Sequence, residues 1–332
     1  MKKLYIVTGA AGHLGSTIIR YLSRLDCLVR GLILPSEEAS DGGNITYYRG
    51  DVTKLDTLEP IFSRTGGYSV IVIHTAGLIS MANNVSPQLY TVNVNGTKNI
   101  IAKSMKHHVT RLVYVSSVHA IPEAPDMATI TEVGSFSPDT VVGAYAKTKA
   151  EASEAVINAV KAGLDAVIVH PSGIIGPFDN GRNHMVQMIA DYITGKLPAG
   201  VNGGYDFVDV RDVAKGCILA ADKGTAGECY ILSNRYCTVK DLFKYIRLVV
   251  HGYKKPCIPL WLAKSAAPLI EYAGKLLHKR PLYTRYALRA LESNSIFSHD
   301  KATLKLGFTP RDLKDTVADT VLWLIKKRGV CN

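Results

Sequence analysis

The chain has 332 residues, of which 47% are hydrophobic and 20% charged, with a formal net charge of +11 and six cysteines. No stretch approaches the roughly twenty apolar residues of a membrane span, the apolar run after the N-terminal lysines is too short for a signal peptide, and no Cys-x-x-Cys pair supports a zinc or redox motif. These features predict a globular protein of the reducing cytoplasm, with a basic surface that suits anionic small molecules rather than nucleic acid.

The first half of the chain alternates short apolar segments with amphipathic ones. Apolar runs predict strands at residues 4–7, 28–34, 45–48, 70–74, 112–115 and 166–169. Segments 16–25 and 97–107 predict helices. One face of the first helix carries Ile18, Ile19, Leu22 and Leu25. This alternation indicates an α/β fold, a doubly wound parallel sheet covered on both faces, with ligands beyond the carboxyl ends of its strands.

A glycine series follows the first predicted strand. The sequence VTGAAGHLG places Gly9, Gly12 and Gly15 between that strand and the next helix. Glycine permits a tight turn and lets backbone N–H groups approach a pyrophosphate, whose negative charge the helix N-terminus favours. In this context the series predicts a dinucleotide-binding turn. The alternative is a turn that merely needs glycines.

A tyrosine and a lysine stand four positions apart in GAYAKTKAE, residues 143–151. On a helix this spacing puts Tyr145 and Lys149 on one face, a turn apart. The ammonium can then stabilise a phenolate, so that the tyrosine acts as an acid or base near neutral pH. The alternative is an ordinary surface pair, and the remaining motifs decide between the two.

A series of motifs, in chain order, resembles the extended short-chain dehydrogenase/reductase superfamily, the NAD-dependent epimerase/dehydratase family. These motifs are TGAAGHLG, GDVTKLDTL, HTAGLIS, NVNGTKNI, LVYVSSVHA, YAKTK, HPSGIIGP and YDFVDVRDVAKG. The late segment LESNSIFSHDKATLKLGFTPRDLKDTV is similar to dihydroflavonol-4-reductase-like and 3β-hydroxysteroid-dehydrogenase-like members. The resemblance covers almost the whole chain and implies a Rossmann sheet with a smaller, mainly helical C-terminal substrate cap.

The resemblance implies an NAD(P)-dependent short-chain dehydrogenase/reductase with three catalytic residues. Tyr145 would exchange a proton with a carbonyl or an alcohol. Lys149 would lower the pKa of that tyrosine and hold the nicotinamide ribose. Ser117, the second serine of the pair with Ser116, would hydrogen-bond the substrate oxygen.

Three further residues are candidate substrate contacts. His119 would reach the substrate or relay a proton, and the alternative is a wall or capping residue. The other two candidates are Phe178 and Arg182, and the sequence indicates no metal site.

The same resemblance implies a set of cofactor contacts. They are Gly9, Ala11, Gly12, His13, Leu14, Gly15, Leu34, Asp51, Val52, Thr75, Ala76, Gly77, Asn93, Tyr145, Lys149, Pro171, Ser172, Gly173 and Ile174. The end of the second strand carries neither the acidic residue typical of NAD nor the arginine typical of NADP. Glu37 and Glu38 would repel a 2′-phosphate if the loop curls back, so the sequence favours NAD(H) over NADP(H). The opposite preference would need Arg30, Ser36 or another residue at the phosphate.

The resemblance also divides the chain. Residues 1–173 would form the dinucleotide-binding domain, completed by about 205–235. The substrate-binding cap would comprise residues 174–204 and 236–332. Within the cap, the unusually apolar segment 258–277 is either a packed helix or a partly exposed lid that receives an apolar substrate or makes peripheral contact with a membrane.

The short segment 178–204, the apolar segment 258–277 and the C-terminal resemblance predict the substrate class. We expect a secondary alcohol or ketone on a largely apolar skeleton, such as a hydroxysteroid, bile acid or dihydroflavonol-like compound. Two alternatives stay open: a sugar-nucleotide epimerase or dehydratase, and a non-enzymatic cofactor-sensing regulator. We also expect a small-molecule partner, no nucleic acid, and a monomer or homodimer.

Overall fold

The structure is a computed structural model that describes residues 1–80, 84–125, 128–181, 183–250, 254–276 and 285–328. Its strands are β1 Lys2–Thr8, β2 Leu28–Ile33, β3 Ile45–Arg49, β4 Tyr68–His74, β5 Arg111–Val115, β6 Ala166–Pro171, β7 Gly173–Ile175, β8 Gly200–Val201, β9 Gly204–Asp209, β10 Cys229–Leu232, β11 Arg235–Thr238 and β12 Cys257–Ile258. Its helices are α1 His13–Leu22, α2 Glu59–Phe62, α3 Pro87–Tyr90, α4 Gly96–Lys106, α5 Ala144–Lys161, α6 His184–Ile193, α7 Val210–Lys223, α8 Val239–Arg247, α9 Leu260–Leu276, α10 Arg285–Ala290, α11 Asp300–Leu306 and α12 Leu313–Arg328.

Seven parallel strands form the main sheet, in the order β10-β6-β5-β4-β1-β2-β3. The strand order reverses at β1, which pairs with β2 on one side and with β4 on the other. In open α/β sheets the ligand crevice lies beyond the carboxyl ends of the strands at such a reversal. The predicted doubly wound sheet is therefore confirmed, and its crevice begins where Thr8 and His74 stand side by side.

The main sheet is buried on both faces because its strands are apolar at consecutive positions. In β1, Leu4 and Ile6 enter one core, whereas Tyr5 and Val7 enter the other. Each of these four side chains is at most 2% exposed. A strand buried on both faces cannot alternate polar and apolar residues, which explains the continuous apolar runs in the sequence.

The first helix differs from its prediction at both ends. It begins at His13, three residues early, because Gly12 is already extended at the N-cap and its carbonyl accepts from Ser16 N. It ends at Leu22, so Leu25 lies beyond it and is 50% exposed. The predicted apolar face is correct for Ile18 and wrong for Leu25.

Smaller sheets complete the fold. The order β11-β9-β7 forms one, and β12 pairs with β8 in another. In α9, Ala263 and Ala267 are buried, whereas Trp261 is 69% exposed. Among the described residues, no helix combines the length and the apolar character that a membrane crossing requires.

Candidate active site

The turn between β1 and α1 has no room for side chains at two of its glycines. Gly9 has a φ of +64°, and a Cβ there would lie 2.9 Å from the backbone of Ala76. A Cβ at Gly15 would lie 2.2 Å from the Gly9 carbonyl oxygen. The first turn of α1 contains no acidic residue. Backbone N–H groups and the positive end of a helix therefore face one surface, an arrangement that suits a phosphate.

Neighbouring segments hold this turn in place. The Ala11 carbonyl accepts from Asn180 Nδ2 at 2.9 Å. His13 Nε2 lies 2.9 Å from the Pro177 carbonyl oxygen, and His13 Nδ1 lies 3.2 Å from Asn183 Nδ2. Leu14, the next residue of α1, is 9% exposed. The predicted cofactor residues of the turn thus form one fixed unit with the segment after β7.

The residues after β4 pack directly on the glycine turn. Thr75 Oγ1 donates to the Thr8 carbonyl at 2.6 Å, and Ala76 N donates to Thr8 Oγ1 at 3.2 Å. A Cβ at Gly77 would lie 3.6 Å from Lys149 Nζ. These predicted residues connect the glycine turn to the helix that carries the tyrosine and the lysine.

Asn93 fixes the same segment from the other side. It lies in the π-helical turn Thr91–Asn95 and is 1% exposed. Its Oδ1 accepts from Leu78 N at 2.8 Å, and its Nδ2 donates to the Leu78 carbonyl at 3.0 Å and to Thr148 Oγ1 at 3.1 Å. Single π-helical turns occur frequently at functional sites. Here the turn joins the end of β4 to α5.

Tyr145 is the second residue of α5, and Lys149 follows one turn later. Lys149 is 5% exposed. Its Nζ donates to the Val115 carbonyl at 2.8 Å and to the Tyr114 hydroxyl at 3.4 Å. Burial lowers the pKa of Lys149 to about 7. The ammonium is therefore costly to keep charged, and a negative neighbour would stabilise it.

The two serines after β5 have different partners. Ser116 Oγ lies 2.8 Å from Ser153 Oγ of α5, and both are buried. Ser117 Oγ instead accepts from His119 N at 3.2 Å. The Ser117 carbonyl lies 2.9 Å from His170 Nδ1. The Ser116 hydroxyl thus connects the end of β5 to α5. The Ser117 hydroxyl makes no such connection to Ser153 and is the better candidate for the substrate oxygen.

His119 contacts the tyrosine and lines a cavity. Its ring stacks on Tyr205 at 5.7 Å between centroids, and its Nε2 lies 3.1 Å from the Tyr205 hydroxyl. Its edge-to-face contact with Tyr145 is 6.2 Å between centroids. Burial lowers the pKa of His119 to about 4, so the imidazole is neutral at neutral pH.

The cavity beside His119 has a volume of about 130 Å³. Half of the residues that line it are aliphatic or phenylalanine, and the others are polar. The lining consists of Val118, His119, Ile121, Glu123, Ile130, Thr140, Val141, Val142, Tyr205, Ser293, Asn294 and Phe297.

The segment from Pro171 to Ile174 rests on a buried carboxylate. Ser172 Oγ donates to Asp206 Oδ1 at 2.5 Å, and a Cβ at Gly173 would lie 2.9 Å from the Asp206 carbonyl oxygen. Asp206 is 1% exposed, and burial raises its pKa to about 6. This contact holds the predicted nicotinamide segment against β9.

The residues predicted at the adenosine end lie beyond β2 and β3. Asp51 Oδ1 accepts from the backbone N and the hydroxyl of Thr53, at 2.9 and 2.8 Å. Val52 packs against Gly96, where a Cβ would lie 2.8 Å from Val52 Cγ2. Leu34 follows β2 and is 42% exposed.

The comparisons with known proteins agree with this geometry. The model of the NAD dependent epimerase/dehydratase family matches residues 5–233. The chain belongs to this family.

Curated relatives match this chain over nearly its full length. The chain is 30% identical to sterol demethylase protein B of Methylococcus capsulatus, over 98% of this chain and 99% of that protein. It is 30% identical to a putative dihydroflavonol 4-reductase of Synechocystis, over 97% and 95%. It is 29% identical to the decarboxylating sterol-4-alpha-carboxylate 3-dehydrogenase erg26 of Schizosaccharomyces pombe, over 95% of each chain.

Solved structures share the fold. The crystal structure of gox2253 has a TM-score of 0.81 and 29% identity, and the match covers 100% of both chains. The NAD+ complex of WbmH from Bordetella bronchiseptica has a TM-score of 0.76 and 20% identity, over 99% of this chain and 100% of that one. The protein is thus an oxidoreductase enzyme of the extended short-chain dehydrogenase/reductase type, with an NAD-binding fold.

The residues of this epimerase/dehydratase family member fit a dinucleotide. A Cβ at Gly9 would clash with Ala76 and one at Gly15 with the Gly9 carbonyl, so both positions need glycine for the tight turn that a pyrophosphate site uses. Lys149 is a buried amine near Gly77, beside the same crevice. The glycine turn suits the diphosphate at the centre of a dinucleotide, and the lysine suits a hydroxyl of one of the two riboses that flank it.

One predicted substrate residue, Phe178, has its ring contacts elsewhere. Phe178 packs with Arg20, whose guanidinium carbon lies 4.5 Å from the ring centroid, and with Trp323 at 6.4 Å. Its φ is +76°, which is rare for a bulky residue. Within the described part of the chain, no contact links Phe178 to Tyr145 or His119. Arg182 lies outside the described residues.

Sequence reasoning missed three residues of the site: Tyr114, Tyr205 and Asp206. Tyr114 directly precedes Val115 in LVYVSS, and Tyr205 and Asp206 begin the motif YDFVDV. A carboxylate between the aromatic residues Tyr205 and Phe207 of a strand was a usable signal for Asp206, because a buried carboxylate requires hydrogen-bond donors. No local sequence pattern distinguished the two tyrosines from ordinary strand residues, because tyrosine is common in strands.

Proposed function

We propose that the protein interconverts a secondary alcohol and a ketone on a largely apolar substrate, with Tyr145 as the acid or base. One observation carries the proposal. Tyr145 and the buried Lys149 share a face of α5, and His119, whose ring contacts Tyr145, lines a half-apolar cavity. A proton-transfer group and a site for a carbon skeleton therefore adjoin each other.

The chain itself supplies the proton chemistry in this proposal. In the direction of reduction, the Tyr145 hydroxyl donates its proton to the developing alkoxide, and in oxidation the phenolate takes a proton from the alcohol. The Lys149 ammonium and the N-terminal end of α5 both stabilise the negative oxygen. Ser117 Oγ orients the substrate oxygen as a hydrogen-bond donor.

The nicotinamide, when bound, supplies or accepts the hydride. Residues Pro171 to Ile174, which rest on the buried Asp206, would lie against it. Lys149 would hold the adjacent ribose. The glycine turn would hold the diphosphate, and Asp51 and Val52 would contact the adenine.

The cavity supports the substrate class. Six of its twelve lining residues are aliphatic or phenylalanine, which favours an apolar skeleton. Its volume of about 130 Å³ is below the roughly 300–1,000 Å³ of complete ligand pockets, so it suits the reacting end of a larger molecule. Two relatives carry sterol names and a third carries a flavonoid name. We therefore propose a hydroxysteroid-like or dihydroflavonol-like substrate.

We further propose that the enzyme prefers NAD(H) and works in the reducing cytoplasm as a monomer or homodimer. The described cysteines Cys27, Cys217, Cys229, Cys237 and Cys257 are unpaired, which suits a reducing compartment. The cofactor preference rests on Glu37 and Glu38, which follow β2 and would repel the 2′-phosphate of NADP.

A substrate panel tests the function. Purified protein is incubated with hydroxysteroids, 3-ketosteroids and dihydroflavonols, each with NAD(H) and with NADP(H), and nicotinamide absorbance is followed. We expect turnover with at least one polycyclic alcohol or ketone. Calorimetry with UDP-sugars runs in parallel. Micromolar binding of a UDP-sugar, with no response to any steroid or aromatic ketone, would overturn the proposal in favour of an epimerase.

A further inference from the structure

A buried tyrosine of β5 lies directly against the amine of Lys149. We propose that Tyr114 is a positioning residue for Lys149: its hydroxyl oxygen accepts a hydrogen bond from the ammonium and keeps the amine charged inside the protein. This inference rests on the proposed function, because the proposed reaction needs a charged lysine beside Tyr145. It names a residue, outside the set of Ser117, Tyr145 and Lys149, that controls this charge.

Two oxygen atoms of β5 lie against the amine. Lys149 Nζ donates to the Val115 carbonyl at 2.8 Å and to the Tyr114 hydroxyl at 3.4 Å. The same Nζ lies 5.0 Å from the centroid of the Tyr114 ring, so it is nearer to the hydroxyl oxygen than to the centre of the ring. Tyr114 is 0% exposed. Hydrogen bonds to an ionised group are strong in such a site, because water does not compete for the charge.

The titratable groups around the amine supply no negative charge. The charge of Lys149 acts on His74 of β4 and on His170 of β6. Burial lowers the pKa values of these histidines to about 3 and about 4, so both imidazoles are neutral. Tyr145, on the same face of α5, is neutral until it loses the proton that the reaction uses. Within the part of the chain that the structure describes, burial lowers the pKa of Lys149 and no carboxylate opposes that shift. Neutral oxygens therefore have to stabilise the ammonium.

One neighbour of the Tyr114 hydroxyl has already used its own proton. The Tyr114 hydroxyl interacts with the side chains of Thr97 and Ser116. Thr97 Oγ1 donates to the Asn93 carbonyl at 2.7 Å. Because a hydroxyl has one proton and two lone pairs, Thr97 can only accept from Tyr114.

Ser116 is committed in the same way. Ser153 Oγ donates to the Lys149 carbonyl at 2.8 Å, so it accepts from Ser116 Oγ, which lies 2.8 Å away. The single proton of Ser116 is then used, and this serine is also an acceptor toward Tyr114. The Tyr114 proton therefore points to one of its two hydroxyl neighbours. A lone pair of the Tyr114 oxygen is left for the ammonium, so the surrounding hydrogen bonds match Lys149 and Tyr114 as donor and acceptor.

Loss of the Tyr114 oxygen should make the amine harder to protonate. Burial already lowers the pKa of Lys149 to about 7. An acceptor that bonds to the ammonium favours the charged form, so its removal lowers the pKa further. A neutral amine would no longer stabilise a phenolate on Tyr145. Tyr114 thus acts on the reaction through Lys149, without touching the substrate.

The protonation of Lys149 can be measured without turnover. The parent, Tyr114→Phe and Tyr230→Phe are labelled with ¹³C at the Cε of lysine, and the NMR signals are followed from about pH 5 to about pH 10. Lys149 is assigned as the signal that Lys149→Met lacks. Tyr230→Phe is the matched control, because it removes another buried tyrosine hydroxyl of the same sheet, one that accepts from Thr225 N. Thermal melting confirms that each variant is folded.

We expect the pKa of Lys149 to be about one unit lower in Tyr114→Phe than in the parent, since a hydrogen bond to a charged group is worth about tenfold in an equilibrium constant. Tyr230→Phe should match the parent. For an alcohol that the parent oxidises, the pH of half-maximal kcat should rise in Tyr114→Phe, because the Tyr145 phenolate loses part of its cationic neighbour. A purely structural role of Tyr114 would not move either value.

Two results would overturn the inference: a folded Tyr114→Phe protein in which Lys149 titrates as in the parent, or an equal fall of its pKa in Tyr230→Phe. If Tyr114→Phe does not fold, Tyr145→Phe labelled with ¹³C at tyrosine Cζ decides, because it lacks the other tyrosine near the amine. One tyrosine signal should then shift with the midpoint of Lys149, and the absence of such a signal would reject the contact with Tyr114.

The two proposals fail separately. A lowered pKa of Lys149 in Tyr114→Phe, without turnover of any ketone or alcohol by the parent, would reject the reaction and keep this inference. Turnover by the parent, with an unchanged pKa of Lys149 in Tyr114→Phe, would keep the reaction and reject this inference.

Discussion

The ammonium of Lys149 lies 2.8 Å from the carbonyl oxygen of Val115, two residues before Ser117. This bond connects α5, which carries Tyr145, to the strand that presents the serine. A shift of α5 along the sheet would break it and displace the tyrosine and the lysine together. Lys149 thus has a positioning contact in addition to the electrostatic role proposed for it.

Replacement of Tyr145 by phenylalanine separates proton transfer from cofactor binding. We expect kcat to fall by about 10²–10⁴-fold, the usual contribution of a positioned acid or base. NADH affinity should stay within about threefold, because the phenol would supply only part of the cofactor contact. Steady-state kinetics and calorimetry measure the two effects. Tyr236→Phe, on an exposed tyrosine, is the matched control. Turnover near the parent rate in Tyr145→Phe would remove Tyr145 from the mechanism.

Replacement of Lys149 by methionine tests the cost of the buried cation. Burial lowers the pKa of Lys149 from 10.5 to about 7. Below pH 7 the lysine is charged in both the folded and the unfolded states, so the folded protein bears the full penalty. As the pH rises from 7 toward 10.5, the unfolded state binds more protons than the folded one, and the parent gains stability. Lys149→Met lacks this dependence.

We therefore expect Lys149→Met to be more stable than the parent at pH 6.5, and the difference to shrink by pH 9.5. At about 1.4 kcal/mol per pKa unit, the upper limit of the effect is about 5 kcal/mol. Urea denaturation of the apo proteins at the two pH values measures it. Lys147→Met, on the same helix, is the matched control. A destabilised Lys149→Met at pH 6.5 would mean that the hydrogen bond to Val115 outweighs the burial penalty.

Substitution of Gly15 by alanine tests the close packing of the glycine turn. The added Cβ would lie 2.2 Å from the Gly9 carbonyl oxygen, so the turn must move. We expect NADH affinity to fall by more than about tenfold, because the N–H groups of the turn lose their alignment. Gly66→Ala is the control, since a Cβ at Gly66 meets nothing within 4 Å. Unchanged NADH affinity in Gly15→Ala would place the diphosphate elsewhere.

The features that the sequence predicted well depend on short separations along the chain. Gly9 and Gly15 mark a turn between a strand and a helix, and Tyr145 and Lys149 stand at helical spacing, so local patterns suffice for both. The sheet was predictable because burial on both faces makes its strands continuously apolar. The start of α1 was missed because Gly12 serves as its N-cap without a side-chain hydrogen bond to announce it.

The features that were missed depend on contacts between distant segments. Asp206 meets Ser172, which is 34 positions away, and Tyr205 meets His119, which is 86 positions away. The Glu37 carboxylate accepts from Leu34 N at the end of β2 only because the chain reverses there. No local periodicity encodes such pairings, because they arise when the strands assemble.

Two fully buried histidines predict a loss of stability in acid. Burial lowers the pKa of His74 to about 3 and that of His170 to about 4. Both are neutral in the folded state, while the unfolded state binds protons below about pH 6.5, so stability falls as the pH drops from 6.5 toward 4. Asp206 acts in the opposite sense. Burial raises its pKa to about 6, so the folded protein gains stability as this carboxylate is protonated below pH 6.

Together with His119, whose pKa burial lowers to about 4, the two histidines outnumber the carboxylate, so we expect a net loss of stability of at most about 4 kcal/mol between pH 7 and pH 5. Urea denaturation at the two pH values measures it. His170→Asn should show a smaller pH dependence than the parent. The exposed His108→Asn should match the parent, and asparagine tolerates the φ of +48° at that position. If the unfolding free energy of His170→Asn changes with pH as steeply as that of the parent, burial of His170 does not contribute to the loss of stability in acid.

Filling the cavity beside His119 tests where the substrate skeleton lies. Val142 lines the cavity yet is 48% exposed, so a tryptophan there can enter the cavity without disturbing a packed core. We expect Val142→Trp to lower kcat/KM for a polycyclic substrate by about tenfold or more, because the indole displaces apolar contacts of the reacting end. NADH affinity should be unchanged. Leu322→Trp is the matched control, on an exposed residue of α12.

If Val142→Trp keeps the parent's kcat/KM for every polycyclic substrate that the parent turns over, the skeleton lies outside this cavity. Equal losses for small and polycyclic ketones would instead indicate that the indole disturbs Tyr145 itself, since residues 142 and 145 are only three positions apart.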